Sequence, residues 1–421
     1  MTRLSACLIV RDELASLGAC LDSISALADE IVIVDTGSTD GTLAVVEQRA
    51  TRFARVTWSD DFSAARNASL DLARGEWVLV IDADEQLVDD HAQVRQAIAN
   101  PGALAYQLEV RNDLGNGAIG SAFITRLFRR LPELRYAGRV HEQLGAGIAA
   151  LMSADPSWQV GRISGAALAH TGYLPAVVTA RGKGARNARL LELELDQTPD
   201  DYYLHYKLYQ ARGGGTAHHA LLVRAAQLLL DLPAPALRTA GIADEILTAA
   251  ALAWLDRGEL DHAERASRTA LVLGRHPATL VVLGRALLAT GKAREARDLL
   301  GEALARPPAA HDFHVDPVAL ERIARGALID AHLAAGDATL AAELARTTCE
   351  RFPDQAALVH QLVRALLAAG EAGAALQEGF AWFEHQPDDA ACLGLCADAA
   401  ELLGHASDAA EWRAMAARLR P

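Results

Sequence analysis

Trp77-Val78-Leu79-Val80-Ile81-Asp82-Ala83-Asp84-Glu85 is the stretch on which the reading of this chain turns. Its five successive apolar residues show no polar alternation, which suits a short strand covered on both faces, as in a parallel sheet. Three acids then follow within four residues. Successive strand side chains point to opposite faces, so Asp82 and Asp84 are expected on one side, two like charges in a small space. A cation between them relieves that repulsion. Hard divalent ions such as Mg2+ and Mn2+ take one or two carboxylates together with a substrate's phosphates. The plainer alternative is a strand end capped by acids in water.

Upstream, strands and helices alternate. Leu4-Ser5-Ala6-Cys7-Leu8-Ile9-Val10 is a strand that stops at Arg11-Asp12-Glu13, and Leu14, Leu17, Leu21, Ile24 and Leu27 then recur at helical spacing. Glu30-Ile31-Val32-Ile33-Val34-Asp35 is a second strand, followed by a loop of turn and capping residues and a helix through Val45 and Val46. Arg55-Val56-Thr57-Trp58 reads as a third strand, and Ser63 to Leu70 as a helix leading to the Trp77 strand. This order implies a mostly parallel sheet with right-handed crossovers, whose ligands bind beyond the carboxyl ends of the strands. Arg11 and Glu13, Asp35 and Ser38, Arg66, and Asp82 and Asp84 are expected to meet on that rim. The loop after Asp35 lacks Gly-x-Gly-x-x-Gly spacing, which argues against a dinucleotide fold.

Val34-Asp35-Thr36-Gly37-Ser38-Thr39-Asp40-Gly41-Thr42, Ser63-Ala64-Ala65-Arg66-Asn67 and Asp82-Ala83-Asp84-Glu85 occur in that order. Together they resemble the nucleotide-sugar site of family-2 glycosyltransferases, a likeness covering about residues 4 to 175. The resemblance implies a GT-A (Rossmann-like) α/β domain and transfer of a sugar from a nucleotide diphosphate. It also implies that Asp35 contacts the nucleobase or ribose, with Arg11, Glu13 and Ser38 nearby, and that Arg66 approaches the base or diphosphate. Asp82 and Asp84 form the Asp-x-Asp motif, Asp84 the more direct metal ligand and Asp82 nearer the ribose. UDP is the commonest nucleotide for the resemblance, with guanine and adenine nucleotides left open.

Beyond Gly102 the pattern is β-rich, with strands expected at 105–110, 123–128, 139–144 and 166–170. The Gly138-Arg139-Val140-His141-Glu142-Gln143 run resembles the segment that presents the catalytic acid residue in relatives. An inverting transfer needs a base that takes the acceptor's proton. Glu142 is the choice, against a strand glutamate paired with Arg139 or Arg126, and Asp113 is the alternative. His170, at a strand end before Thr171-Gly172-Tyr173, stands where GT-A enzymes often supply a histidine to the metal, and a structural role weighs equally. Arg126, Arg129 and Arg130 are expected to face water.

Composition bounds the rest. At 421 residues two domains are the default. The net charge of −14 divides evenly between the halves, which argues against nucleic acid. Lysines occur only at Lys183, Lys207 and Lys292, so a cation acting before residue 183 is arginine, histidine or metal, and Schiff-base chemistry is excluded there. No apolar run is long enough for a membrane span. The five cysteines form no Cys-x-x-Cys pair, and a cytoplasmic location is expected.

From about residue 200 the sequence repeats. Gly258, Gly291, Gly336, Gly370 and Gly404 are each followed five residues later by alanine, at 263, 296, 341, 375 and 409. Their spacings are 33, 45, 34 and 34. Glycine permits a turn inside each helix pair, alanine a close approach, and Pro277, Pro308, Pro353 and Pro387 are expected to end second helices. The pattern resembles tetratricopeptide repeats, an all-α solenoid, with Trp254 at one consensus aromatic position. The 45-residue interval contains an inserted loop in which His311, Asp312, His314 and Asp316 are weak metal candidates. Tyr202, Tyr203, Tyr206 and Tyr209 form an aromatic patch expected to fill a junction between repeats.

The expected organisation is a nucleotide-sugar transferase domain over 1–175, a linking helix over 176–200 and the repeat domain over 201–421. It is similar in architecture to sublancin-type peptide S-glycosyltransferases and implies a peptide or protein acceptor, slightly preferred, with the repeats equally suited to a homodimer. Two alternatives stand beside it: a transferase for a cell-surface glycan, and an inactive nucleotide-binding scaffold acting through its repeats.

Overall fold

The computed structural model describes residues 3–115, 118–170, 183–306 and 316–419. Two compact units divide after Gly214. The first holds an eight-stranded sheet in the order β3-β2-β1-β4-β7-β6-β8-β5. Its strands are β1 (Leu4–Val10), β2 (Glu30–Asp35), β3 (Arg52–Arg55), β4 (Trp77–Val80), β5 (Glu85–Asp89), β6 (Ala103–Gly115), β7 (Ala118–Arg129) and β8 (Gln159–His170). The four strands β3-β2-β1-β4 are parallel, whereas β7 joins β4 and β6 antiparallel and β5 joins β8 antiparallel.

The continuous apolar strands are covered on both faces, as their lack of alternation required. Leu4, Ala6, Leu8 and Val10 of β1 and Trp77 and Leu79 of β4 share one core with Leu17, Leu21 and Ile24 of α1 (Leu14–Ile24) and Val94 and Ile98 of α4 (His91–Ile98). Cys7, Val78 and Val80 share the other with Leu70 of α3 (Phe62–Leu72) and Ile148 and Leu151 of α5 (Gly145–Ala154). Each fully buried leucine contributes roughly 1.5–3 kcal/mol, so both layers matter to the position of the rim. Helix α2 (Thr42–Arg49) follows β2, and α6 (Lys183–Leu195) and α7 (Tyr202–Ala211) complete the unit.

The third strand lies at Arg52–Arg55 rather than 55–58, because pairing with β2 already begins where the Thr51 N–H meets the Ile31 carbonyl. Residues 139–144 are no strand: they form a loop closed by a single bridge between Ala137 and Gln143. β5 was not anticipated, since its five residues follow the acid run without an apolar signal of their own. Arg129 and Arg130 do not simply face water, because both donate to backbone carbonyls, of Ala103 and Gly75 respectively.

The second unit contains helical hairpins. The pairs are Ala243–Asp256 with Leu260–Leu273, Pro277–Ala289 with Ala293–Ala305, Pro317–Ala335 with Ala338–Arg351, Ala356–Ala368 with Ala372–His385, and Ala390–Leu402 with Ala406–Leu419. Gly258, Gly291, Gly336, Gly370 and Gly404 sit in the turns with φ between +75° and +88°, the left-handed region where a side chain is disfavoured. The alanines at 263, 296, 341, 375 and 409 are all buried, as the close approach of paired helices demands. Pro353 and Pro387 follow helix ends, whereas Pro277 opens a helix as its first residue, where its missing N–H is no loss. Asp316 caps the helix Pro317–Ala335 by accepting the Val318 N–H. His311, Asp312, His314, Pro307 and Pro308 lie outside the described residues, as do Thr171-Gly172-Tyr173 and the expected boundary at 175. No described helix is long and apolar enough to cross a membrane.

Candidate active site

β2, β1 and β4 are parallel neighbours, so the residues after Asp35, Val10 and Val80 share one edge. Asp35 is fully buried, and its carboxylate accepts the N–H groups of Gly37 at 3.0 Å and Ser38 at 3.2 Å. Arg55 approaches it at 3.7 Å. The neighbouring loop is tied to this one: Asp12 donates its N–H to Ser38 Oγ at 3.0 Å, and Glu13 donates its N–H to Thr42 Oγ1 at 2.8 Å. Arg11 is exposed beside them. Asp35, Ser38 and Glu13 thus fix the shape of this end of the rim.

The acid run ends β4 in a tight turn, in which the Asp82 N–H reaches Glu85 Oε2 at 2.9 Å and the Glu85 N–H reaches the Asp82 carbonyl at 3.0 Å. Asp82 is met by two cations of the chain itself. Asp82 Oδ1 receives Arg66 Nη2 at 2.8 Å, and Oδ2 receives Arg126 Nη2 at 3.0 Å. Arg126 also holds the buried Glu85 at 2.6 Å. The pairing of β7 with β6 skips Arg126, and this bulge lets its side chain depart from the alternation of its neighbours. Burial alone would raise the Asp82 carboxyl, but the two arginines bring it far below the usual range. Glu85 is displaced upward, by burial and by the neighbouring Asp82 charge, despite Arg126.

Arg66 has a second partner. Its Nε donates to Glu142 Oε1 at 2.5 Å, across 76 residues of sequence. The alternative weighed against the base, a strand glutamate paired with Arg139 or Arg126, is not what is found: the partner of Glu142 is Arg66. Burial opposes the Arg66 charge, yet Asp82 and Glu142 keep it firmly protonated. Arg66 also lies 5.6 Å from the centre of the Tyr136 ring, whose hydroxyl burial pushes up to about 12. The next residue, Asn67, donates from Nδ2 to the Tyr136 carbonyl and accepts the Tyr136 N–H at Oδ1, both at 2.9 Å. The Arg66-Asn67 pair thus holds the Glu142 loop twice, by its carboxylate and by its backbone. Asp61 caps α3 by accepting the Ala64 N–H at 3.0 Å, which sets the helix that presents both residues.

Asp84 turns toward β8. Glu85 pairs with His170 in the β5–β8 ladder, and His170 pairs with Asn112 in the β8–β6 ladder, so these three strands share one rung. His170 Nε2 lies 3.4 Å from Asp84 Oδ1, and Nδ1 lies 2.8 Å from Asn112 Oδ1. A carboxamide oxygen at Nδ1 places a hydrogen on that nitrogen and leaves Nε2 facing Asp84. Asp113, one residue past Asn112, is exposed and by strand alternation faces the other way.

The structure therefore brings Arg66, Asp82, Glu142 and, through Glu85, Arg126 into one network, with Asp84 and His170 beside it. Asp113 stands apart. The residues that sequence reasoning passed over are Asn67 and Asn112, and Arg126, expected to face water, is instead turned inward to Asp82 and Glu85. An arginine enclosed by Phe123, Ile124, Leu127 and Phe128 is itself a signal, because a charge in a buried strand requires a buried partner. Tyr203 was expected at a repeat junction; instead its hydroxyl accepts from Gln143 Nε2 at 3.1 Å within the first unit.

The model of glycosyl transferase family 2 matches residues 5–151. Over that stretch the chain is similar to family-2 glycosyltransferases. A TPR repeat-containing protein of Synechococcus elongatus is 34% identical over 270 residues, 62% of this chain and 64% of that protein. The glycosyltransferase SunS of Bacillus subtilis is 26% identical over 207 residues, 46% of this chain and 45% of that protein. The lipopolysaccharide core biosynthesis glycosyltransferase LpsC of Rhizobium meliloti is 40% identical over 89 residues, 20% of this chain and 32% of that protein. The chain spans less than two thirds of the length of each. In this chain the stretch that the family model matches precedes helical hairpins whose turn glycines and buried alanines, described above, are similar to the pattern of tetratricopeptide repeats.

Proposed function

We propose that the chain is an inverting, metal-dependent glycosyltransferase that moves a sugar from a nucleoside diphosphate, UDP favoured, to a peptide or protein. The observation that carries this reading is the Arg66 bridge, which sets a carboxylate on the donor side, Asp82, beside one on the acceptor side, Glu142. A structural ion pair needs one acid; a transferase needs both functions within reach of one sugar.

Glu142 takes the acceptor's proton as the acceptor atom bonds to the anomeric carbon and the sugar's bond to the diphosphate oxygen breaks. Arg66 keeps its charge throughout and orients both carboxylates. Asp84 and His170 would hold Mg2+ or Mn2+, whose chemistry here is to offset charge on the departing diphosphate. Their donor set suits such an ion: a carboxylate and a histidine Nε2 face one another, and no third protein ligand joins them among the described residues. These ions leave positions for phosphate and water. The repeats supply the surface for a polypeptide acceptor or a second copy. The stretch shared with LpsC supports a second reading, in which the acceptor is a cell-surface glycan.

The test is release of diphosphate from UDP-, GDP- and ADP-sugars by the purified chain, with Mn2+ and with chelator. One donor class is expected to turn over only with metal, and Glu142→Gln is expected to lower kcat about 10²–10⁴-fold. Release from none of them, or an unchanged rate in Glu142→Gln, contradicts the respective part of the reading.

A further inference from the structure

The loop carrying Glu142 is held from beyond residue 151, where the family match ends. Within the match, Asn67 clamps Tyr136, and the Phe62 N–H donates to the Arg139 carbonyl at 2.9 Å. Outside it, Glu194 of α6 accepts the Arg139 N–H at 2.9 Å through Oε2. Its Oε1 lies over Gly138, 3.7 Å from where a Cβ would stand. Arg189 of the same helix makes two bonds to Asp60, at 2.9 and 2.6 Å, and Arg186 lies 5.1 Å from the centre of the Phe62 ring. The Asp60 carbonyl in turn accepts Arg139 Nη1 at 3.2 Å. From α7, Tyr203 takes the Gln143 side chain.

The loop needs such holding. Gly138 has φ +101° and His141 has φ +58°, two left-handed residues within four positions. A non-glycine residue there is strained and persists only where its surroundings determine it. Only the bridge between Ala137 and Gln143 supplies ladder bonds to this segment. The Arg139 N–H is met instead by a carboxylate, one of the stronger hydrogen bonds available to a backbone amide.

We propose that α6 and α7 belong to the catalytic unit, with Glu194 a positioning residue that fixes Glu142 through the Arg139 amide and Tyr203 a second through Gln143. The inference rests on the reading of Glu142 as the base. It makes residues 183–211, which follow the family match, part of the transferase itself.

The experiment uses the full chain as Glu194→Ala, Glu194→Gln, Tyr203→Phe and Glu142→Gln. It measures kcat and donor KM together with amide hydrogen exchange over 136–144. Glu194→Ala is expected to lower kcat by about tenfold to a hundredfold, the scale of a small misplacement of a reacting group. Donor KM should stay unchanged while exchange at the loop quickens. Glu194→Gln, whose side-chain oxygen still accepts the Arg139 N–H, should recover most of kcat. Tyr203→Phe should show a smaller loss of kcat, and it decides the matter should Glu194→Ala fail to fold. Wild-type kcat in Glu194→Ala overturns the proposal, whether or not exchange quickens. Wild-type kcat in Glu142→Gln overturns the base reading alone, leaving exchange and kcat in Glu194→Ala to judge the brace.

Discussion

At the residue scale the site is a charge network before it is a set of catalytic groups. Removing one partner of a buried pair leaves the other charge uncompensated, which is more damaging than never having had the pair. Arg66→Met strips both Asp82 and Glu142 of a buried cation, and stability is expected to fall by roughly 3–5 kcal/mol. A denaturant midpoint shift checks this, and an unchanged midpoint would mean that water or rearrangement serves both acids. Arg66, Asp82 and Glu142 could be singled out as candidates in the sequence because their motifs are local. Their pairing could not, since Arg66 and Glu142 are 76 positions apart and nothing near either names the other. Arg126 was hidden for a related reason: only the bulge in β7 turns it to Asp82.

At the element scale, regular periods were readable and long-range registers were not. The apolar runs of β1, β2 and β4 declared themselves because each is buried by helices on both faces. β5 is recognisable only through its pairing with β8, and in residues 139–144 the Arg139 N–H goes to Glu194 rather than to a strand. The repeat turns were the most legible of all, since a left-handed position selects glycine directly. At Gly370, φ is +79° and an added Cβ would touch nothing within 4 Å, so any penalty there comes from the backbone alone. Gly370→Ala is expected to destabilise the repeat unit by about 1–2 kcal/mol, with Gly370→Asn milder; equal thermal midpoints for all three would refute the backbone account.

Asp389 tests a different feature of the same unit. It caps the helix Ala390–Leu402 by accepting the Cys392 N–H at 3.0 Å, and its other oxygen meets Trp382 Nε1 at 2.9 Å and His360 Nε2 at 2.7 Å. Burial pushes its carboxyl up, and these three partners more than offset that, leaving it below its ordinary value. The stability it lends is therefore complete above the unfolded carboxyl value of about 3.9 and is lost as pH falls through the lower folded value. Asp389→Ala should lower stability by about 0.5–2 kcal/mol near neutral pH, and the difference should shrink in acid. Melting both proteins across that range checks the sign; a gap that widens in acid would contradict it.

At the scale of the whole molecule, two compact units carry different kinds of information. The first follows from motifs placed at strand ends, so its likeness to family-2 glycosyltransferases could be read early. The second follows from a period, which specifies an architecture and says nothing of what it binds. The central claim is that the first unit takes a nucleoside diphosphate through a metal held at Asp84. Calorimetric titration of the purified chain and of Asp84→Ala with UDP, GDP and ADP, each with and without Mn2+, tests it most directly. The account predicts that one diphosphate binds the unaltered chain only when Mn2+ is present and fails to bind Asp84→Ala. Binding that is indifferent to both Mn2+ and Asp84, or no binding of any of the three, would contradict it.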